Sequence, residues 1–168
     1  MIDLEQEVRK IIRKNNWLVL STVDGNNNPH SAIVVYQSDG YVIYCQTGLE
    51  TLKAKNIKYS NHVSVTIPFR KNFLHKIIPA PPAELHFTAT AKFKPKEDEE
   101  ARRIFSKYLK HSEKADVAKD YIWIKIIPSD IISTYGVGVK LLKMRNPQES
   151  RNLVYLKPII KNNSKIDN

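Results

Sequence analysis

Three apolar segments separated by tight turns occupy residues 17–46, and this arrangement limits the fold more than any other feature of the sequence. The first segment, Trp17–Val23, ends in the turn-forming residues 24–29, DGNNNP. Residues 38–40, SDG, separate a second segment, His30–Gln37, from a third, Tyr41–Gln46. Gly and Asn tolerate positive φ and suit such turns. Connections this short join antiparallel strands, so the sequence predicts an antiparallel meander.

Later segments extend the same pattern. His62–Ile67 is a predicted fourth strand, Leu85–Phe93 alternates apolar and polar residues, and Ile122–Tyr135 is a last strand region broken near Pro128. Amphipathic spacing predicts three helices, over residues 3–14, 50–60 and 97–111. Six strands with few helices favour a small closed barrel over a sandwich, because closure leaves no exposed edge. The predicted class is mainly β (α+β), with a few peripheral helices.

Length and local composition predict the domain organisation. A chain of 168 residues is typical of one domain with an appendage. We assign residues 1–135 to the barrel and residues 136–168 to a basic, partly flexible C-terminal extension. Between Pro68 and Ala83 lies a long irregular loop, which is either a lid over a site or an insertion packed on the barrel.

Several function classes find no support in the sequence. No apolar run approaches the ~18 residues that cross a bilayer, and the acidic N-terminus does not resemble a signal peptide, so we expect a cytoplasmic protein without a membrane partner. Cys45 is the only cysteine and is expected to be buried. The five histidines lack zinc-type pairing, so no metal site is expected; His30 and His86 could line a cavity, although a lone histidine is more often structural.

The net charge of +10 raises the question of an anionic partner. The excess lies on the loop, through Arg70, Lys71 and Lys76, and in the C-terminal extension. These residues are not interleaved with aromatic residues on one strand face, as RNA-binding sheets require, so nucleic acid is not the expected partner. A small anionic molecule is another class of partner that such a charge can serve.

One stretch, CQTGLETLKAKN at residues 45–56, places Thr47, Gly48, Thr51 and Lys53 where the third strand gives way to a helix. Amide groups at a helix start have no internal partner, and the helix dipole adds partial positive charge there. With one hydroxyl and one ammonium, this corner can hold a phosphate. The alternative is an ordinary capped helix with Lys53 in solvent, and these residues alone do not decide between the two.

An ordered set of motifs resembles the flavin-binding split-barrel family related to pyridoxamine 5′-phosphate oxidase. The set comprises TVDG at 22–25, PH at 29–30, DG at 39–40, Thr47, TLK at 51–53, NI at 56–57 and VSV at 63–65. LHFTATAKF at 85–93 and WIKIIPSDIISTY at 123–135 are similar to the later strands of the family. Each motif is short, but their order is specific, and the resemblance covers residues 1–135.

The resemblance implies a six-stranded split barrel, a homodimer, and FMN in clefts between subunits. It implies that Thr51 and Lys53 bind the phosphate, and that the ring system lies along two further sets of residues: Ala32, Ile33 and Val34, and Gln46 and Thr47. The expected function is that of an FMN-dependent oxidoreductase whose chemistry resides in the cofactor. F420 or haem in the same fold, or a non-catalytic flavin-binding module, are the alternatives.

This chain departs from the family at charged positions. Leu52 replaces the usual arginine beside Lys53, and we expect Arg70 or Lys71 from the long loop to supply the missing donor. Two charged residues of the second strand in the pyridoxamine phosphate oxidases proper correspond to Ala32 and Gln37. Vitamin B6 is therefore not the expected substrate, and the sequence names no other.

Overall fold

The fold is described by a computed structural model that covers residues 3–70, 81–112 and 121–158. Most of the predicted loop, including Lys71 and Lys76, lies outside the described residues, as do the chain from residue 159 onward and the side chains of residues 107–112. The described ranges fold into a closed six-stranded antiparallel barrel, which confirms the predicted fold.

Three helices and eight strands make up the described chain, with two short 3-10 helices at Leu141–Arg145 and Pro147–Glu149. The helices are α1 (Leu4–Lys14), α2 (Leu52–Tyr59) and α3 (Glu99–Ser112). The strands are β1 (Trp17–Val23), β2 (Pro29–Ser38), β3 (Ile43–Thr47), β4 (His62–Phe69), β5 (Ala83–Lys94), β6 (Ile122–Pro128), β7 (Ile131–Tyr135) and β8 (Arg151–Tyr155).

The barrel strands follow the order β4-β1-β2-β3-β6-β5, and a β4–β5 pairing closes the ring. β5 is the longest strand because it pairs with β4 along one side and with β6 and β7 in succession along the other. Its alternation is the one predicted: Leu85, Phe87, Ala89 and Ala91 point into the barrel and are buried. The core is therefore built from one face of every strand.

The peripheral helices pack against the barrel, α1 and α2 on its main core and α3 on a second buried cluster with β3 and β6. Asp3 caps α1 by accepting from the Gln6 amide, and Val8 and Ile12 pack into the barrel core. The Tyr36 hydroxyl donates to the Ile12 carbonyl at 3.0 Å, which ties α1 to β2. None of the helices in the described ranges is both long enough and apolar enough to cross a bilayer.

The third strand begins two residues later than predicted, at Ile43 rather than Tyr41. The turn before it is longer than the sequence suggested, because the Asp39 carboxylate accepts from the amides of Tyr41 and Val42. Gly40 has φ +101°, and a side chain there would collide with Arg13. The turn therefore holds Tyr41 out of the β ladder.

A strand in the C-terminal extension was not predicted. β8 pairs with β7 from Ile131↔Tyr155 to Tyr135↔Arg151, at the edge of the sheet. Only Val154 of its five residues is buried, so the strand lacks a clear apolar alternation. The pairing attaches residues 151–155 to the barrel, and Arg9 holds the chain just beyond by donating to the Lys157 carbonyl at 2.6 Å.

Candidate functional site

The corner between β3 and α2 is a compact set of hydroxyl and backbone groups. Thr51 is the N-cap of α2, and its Oγ1 accepts from the Ala54 amide at 3.4 Å. The same Oγ1 lies 2.8 Å from Thr47 Oγ1 and 2.9 Å from the Gly48 carbonyl oxygen. Gly48 also receives the Thr51 amide at 3.2 Å. The Thr51 hydroxyl is thus part of the cap, as the alternative reading of this stretch expected.

The cap leaves Thr51 able to turn its proton toward a ligand. The Gly48 carbonyl has a second hydroxyl within reach, Thr47 Oγ1 at 3.3 Å, in addition to the Thr51 amide. If the Thr51 hydroxyl donates to a ligand instead, the Gly48 carbonyl still accepts a hydrogen bond. No buried acceptor is then left without a donor. The capped helix and the anion site are therefore compatible.

Buried contacts fix α2 against the barrel. Asn56 is 3% exposed, and its Nδ2 donates to Thr22 Oγ1 on β1 at 3.0 Å. Ala54 and Ile57 are buried on the same face of the helix. These contacts determine where the start of α2 points, and hence where the Lys53 side chain emerges.

Lys53 lies between two adjoining cavities. One, of about 260 Å³, is lined by Ile33, Val34, Val35, Gln46, Lys53 and Phe105. The other, of about 140 Å³, is lined by Leu20, Thr22, His30, Ser31, Ala32, Leu52 and Lys53. Lys53 is half-buried and makes no hydrogen bond or ion pair with any residue that the structure describes. A cation that is partly desolvated and uncompensated favours an anion as its partner.

Four of the five predicted ring-binding residues line these two cavities, and the fifth, Thr47, lines neither. Ala32 and Val34 point inward from β2, whereas Ile33 points outward and is 66% exposed. Gln46 is half-buried at the end of β3, opposite Trp123 on β6. A flat apolar group above Lys53 would therefore contact aliphatic side chains and one amide side chain.

Phe105 completes the larger cavity, and sequence reasoning did not identify it as a site residue. The sequence predicted only an amphipathic helix over residues 97–111 around it, and Phe105 is 1% exposed. Its ring packs 4.7 Å from that of Trp123, measured between centroids. Nothing in the sequence places residue 105 next to residue 53; only the packing of α3 across β3 and β6 does.

A polar network anchors α3 in that position. The Glu100 carboxylate accepts from the Tyr44 hydroxyl at 2.8 Å and from Lys125 Nζ at 2.7 Å. Burial, followed by the hydrogen bond to Glu100, raises the pKa of Tyr44 far above its usual value, so the phenol stays a donor. The network fixes the first turn of α3 and, through it, the Phe105 wall of the cavity.

Of the two basic residues predicted as phosphate donors, only Arg70 lies in the described part of the chain, and it is not at this corner. Arg70 lines a separate cavity of about 470 Å³ with Lys10, Lys14 and residues near the end of α1. Lys71 lies outside the described residues. Leu52 lines the smaller cavity but is 53% exposed and carries no charge. Within one chain, Arg70 therefore does not accompany Lys53.

A larger cavity, of about 730 Å³, lies on another part of the barrel wall. Its lining includes Ser21, Ser64, Thr88 and Ser129, but no lysine or arginine. Such a surface offers hydroxyl groups without the positive charge that an anion needs. The two cavities around Lys53 therefore suit an anion better than this cavity does, although each of them is smaller.

Thiol and metal chemistry are not found in the described part of the chain. Burial raises the pKa of the Cys45 thiol to about 12, against a smaller opposing effect of the Lys53 ammonium. The thiol therefore stays protonated and is a core residue, as predicted. Within the described ranges, no three histidine, cysteine, aspartate or glutamate side chains converge as a metal site would require.

Comparison with known proteins identifies relatives of this barrel. The family model for pyridoxamine 5′-phosphate oxidase matches residues 4–135. A putative pyridoxamine 5′-phosphate oxidase from Listeria innocua is 26% identical, with 76% of this chain and 94% of that chain covered and a TM-score of 0.58. No curated protein matches the chain.

Two more distant structures share the fold. The heme storage protein of Vibrio cholerae is 16% identical, with 76% of this chain and 92% of that chain covered and a TM-score of 0.59. An F420 reductase is 18% identical, with 72% of this chain and 92% of that chain covered and a TM-score of 0.53. At these identities the likeness concerns the fold and not the ligand.

Proposed function

The chain belongs to the pyridoxamine 5′-phosphate oxidase family, and from this premise we propose that it is a flavoprotein that binds FMN for an oxidoreductase reaction. One observation carries the proposal: the half-buried Lys53, without a partner among the described residues, stands at the start of α2 and lines both cavities. A phosphate is the group that this corner suits.

The chain's own residues would bind and orient the cofactor. Lys53 and the first amides of α2 hold the phosphate, and the Thr51 hydroxyl turns toward it while Thr47 keeps the Gly48 carbonyl satisfied. Ile33, Val34 and Phe105 form the apolar walls that exclude water from the ring. When bound, FMN supplies hydride or electron transfer. The protein contributes position and electrostatics, so no catalytic side chain is assigned.

The substrate proposed is not vitamin B6. The second strand carries Ala32 and Gln37 where the pyridoxamine phosphate oxidases proper carry charged residues. Ala32 lines the smaller cavity and adds no charge to it. The reaction is therefore left at the level of a flavin-dependent oxidation or reduction, and a cytoplasmic location remains part of the proposal.

Two chains would pair to close the site. Trp17 and Val35 are neighbours across β1 and β2, and with Ile33 they form an outward-facing apolar cluster, 48%, 45% and 66% exposed. Ile33 and Val35 also line the larger cavity, so a second copy on this face would cover the open side of the site. Analytical ultracentrifugation tests the dimer, and Ile33→Asp should shift the protein toward monomers.

F420 is the second candidate, because one structural relative is an F420 reductase and the same corner can accept the phosphodiester of a deazaflavin. A non-catalytic flavin-binding module is the third. Titration with FMN and F420 separates the first two. Reduction of the bound cofactor, followed by reoxidation with a panel of acceptors, separates an enzyme from a module.

The primary experiment is reconstitution of the purified chain. The protein is stripped of small molecules, titrated with FMN, and followed by quenching of flavin fluorescence and by visible absorption. We expect saturable binding and a perturbed flavin band. A protein that stays colourless and leaves FMN fluorescence unchanged, while circular dichroism shows it folded, would reject the proposal.

A further inference from the structure

The smaller cavity beside Lys53 contains a second group that can carry positive charge. His30 lies at the start of β2 and lines this cavity together with Lys53 and Ala32. Alternation along β2 places His30 on the same side of the strand as Ala32 and Val34, toward the cavity and not toward the outer face of the sheet. His30 is half-buried, so its ring is partly shielded from solvent.

The turn that precedes β2 places a carboxylate behind the His30 ring. Asp24 Oδ2 lies 3.7 Å from His30 Nε2, within ion-pair range although longer than a hydrogen bond. Asp24 Oδ1 accepts from the amides of Asn26 and Asn28, and Oδ2 accepts from the Asn28 side chain. The Asn28 hydrogen bonds hold the pKa of Asp24 at about 2, so the carboxylate is ionised at every pH of interest.

This arrangement leaves one ring nitrogen available to a ligand. Asp24 faces Nε2, and Nδ1 makes no hydrogen bond with any residue in the described ranges. A carboxylate near one imidazole nitrogen orients the ring and directs the other nitrogen away from it. When the ring is protonated, Nδ1 is a charged donor on a side chain that shares a cavity with Lys53.

We propose that His30 is the second cation of the phosphate site and takes the place of the arginine that Leu52 has replaced. The inference rests on the proposed function, because it assigns a further residue to the same site. The ligand class is a phosphate monoester, of which FMN is the example. Arg70 does not fill this role within the chain, because it lines a different cavity beside α1.

Phosphate affinity becomes pH-dependent as a consequence. The charged groups that face His30 are Asp24, from the turn before β2, and Lys53, from α2; Thr22 and Ser31 in the same cavity are neutral. A phosphate that accepts a hydrogen bond from the protonated ring binds most strongly where the ring is charged and less strongly where it is neutral.

The test compares FMN with riboflavin, which lacks the phosphate, at pH 6 and pH 8. Dissociation constants are measured by fluorescence quenching for the unmodified protein, for His30→Gln, and for His62→Gln as a matched control. His62 is an exposed histidine at the start of β4 that lines neither of the two cavities. Because ionisation of the FMN phosphate is common to all three proteins, differences between them report on the histidine.

We expect His30→Gln to weaken FMN binding about tenfold at pH 6, as for loss of one charge-assisted contact, and by less at pH 8. Riboflavin affinity should not change, and His62→Gln should behave as the unmodified protein. His30→Lys should restore FMN affinity and abolish the difference between the two pH values. Melting curves establish that each variant is folded.

The outcomes separate this inference from the proposed function. If the unmodified protein binds FMN and His30→Gln binds it equally well at pH 6, the role of His30 is rejected and the flavin proposal stands. An equal loss of FMN and riboflavin affinity in His30→Gln also rejects it, because the effect would then be on the ring site. If the unmodified protein binds FMN no better than riboflavin, the phosphate contributes nothing and the role of His30 is rejected; if it binds neither, the flavin proposal fails as well.

Discussion

Replacing Lys53 with methionine removes the ammonium that both cavities share and keeps most of the apolar stem. Because Lys53 has no ion pair with any described residue, the change leaves no carboxylate unpaired, and we expect the free energy of unfolding to change by less than about 0.5 kcal/mol. The predicted effect is on phosphate binding alone.

The magnitude follows from the position of the side chain. A hydrogen bond to a charged group contributes roughly 1.5–3 kcal/mol, and 1.4 kcal/mol is a factor of ten in Kd. Lys53 is only half-buried, so solvent screens part of the interaction. The amides at the start of α2 remain in the variant and keep part of the anion affinity. We therefore expect FMN binding to weaken about 10- to 30-fold.

The assay is fluorescence quenching with FMN and with riboflavin. Lys55→Met is the control, since Lys55 is exposed on the same helix and pairs with Glu50 at 3.2 Å. The Lys53 variant should lose most of its preference for FMN over riboflavin, and the Lys55 variant should keep all of it. A Lys53→Met protein that binds FMN as tightly as before would refute the assignment of the phosphate to this corner.

Three further predictions concern the walls of the site and the core. Glu100→Gln should lower the free energy of unfolding by about 1–2 kcal/mol in urea denaturation, because the ion pair with Lys125 is lost and the hydrogen bond from Tyr44 is weakened; an unchanged denaturation midpoint would contradict this. Phe105→Ala should cost about 3–5 kcal/mol by the same measurement and should weaken riboflavin and FMN binding equally, since its ring is a wall and not a charge. Cys45 should resist thiol reagents in the folded protein, and stability should fall above pH 9, because the unfolded thiol then ionises while the folded one, with its pKa raised to about 12, does not; rapid labelling at neutral pH would disagree.

The barrel strands could be predicted because the alternation and turn residues that define them are close together in the sequence. The alternation of Leu85, Phe87 and Ala89 and the turn residues between β1, β2 and β3 determine strand direction and facing without any long-range knowledge. β8 was missed for the opposite reason. It lies at the sheet edge with only Val154 buried, so its position depends on pairing with β7 and not on its own pattern.

The site likewise contains some residues whose proximity the sequence indicates and others whose proximity depends on the fold. Thr47, Thr51 and Lys53 are close in sequence, and the end of a strand followed by a helix start indicated their arrangement. Phe105 and His30 reach the same cavities from α3 and β2, and their proximity to Lys53 exists only after the barrel has closed.

Arg70 was a candidate for the site because of its charge. In the fold it lies against α1, in a different cavity. Residue type alone does not indicate which side chains tertiary packing brings together, so the sequence could not place Arg70 relative to Lys53.

The most direct test of the account is phosphorus NMR of FMN mixed with the protein. The central claim is that the phosphate is held at the start of α2, beside Lys53. We expect the phosphate resonance to shift and broaden on binding, and Lys53→Met to move it most of the way back to the position of free FMN. A resonance identical to that of free FMN, under conditions in which the ring fluorescence is fully quenched, would contradict the claim.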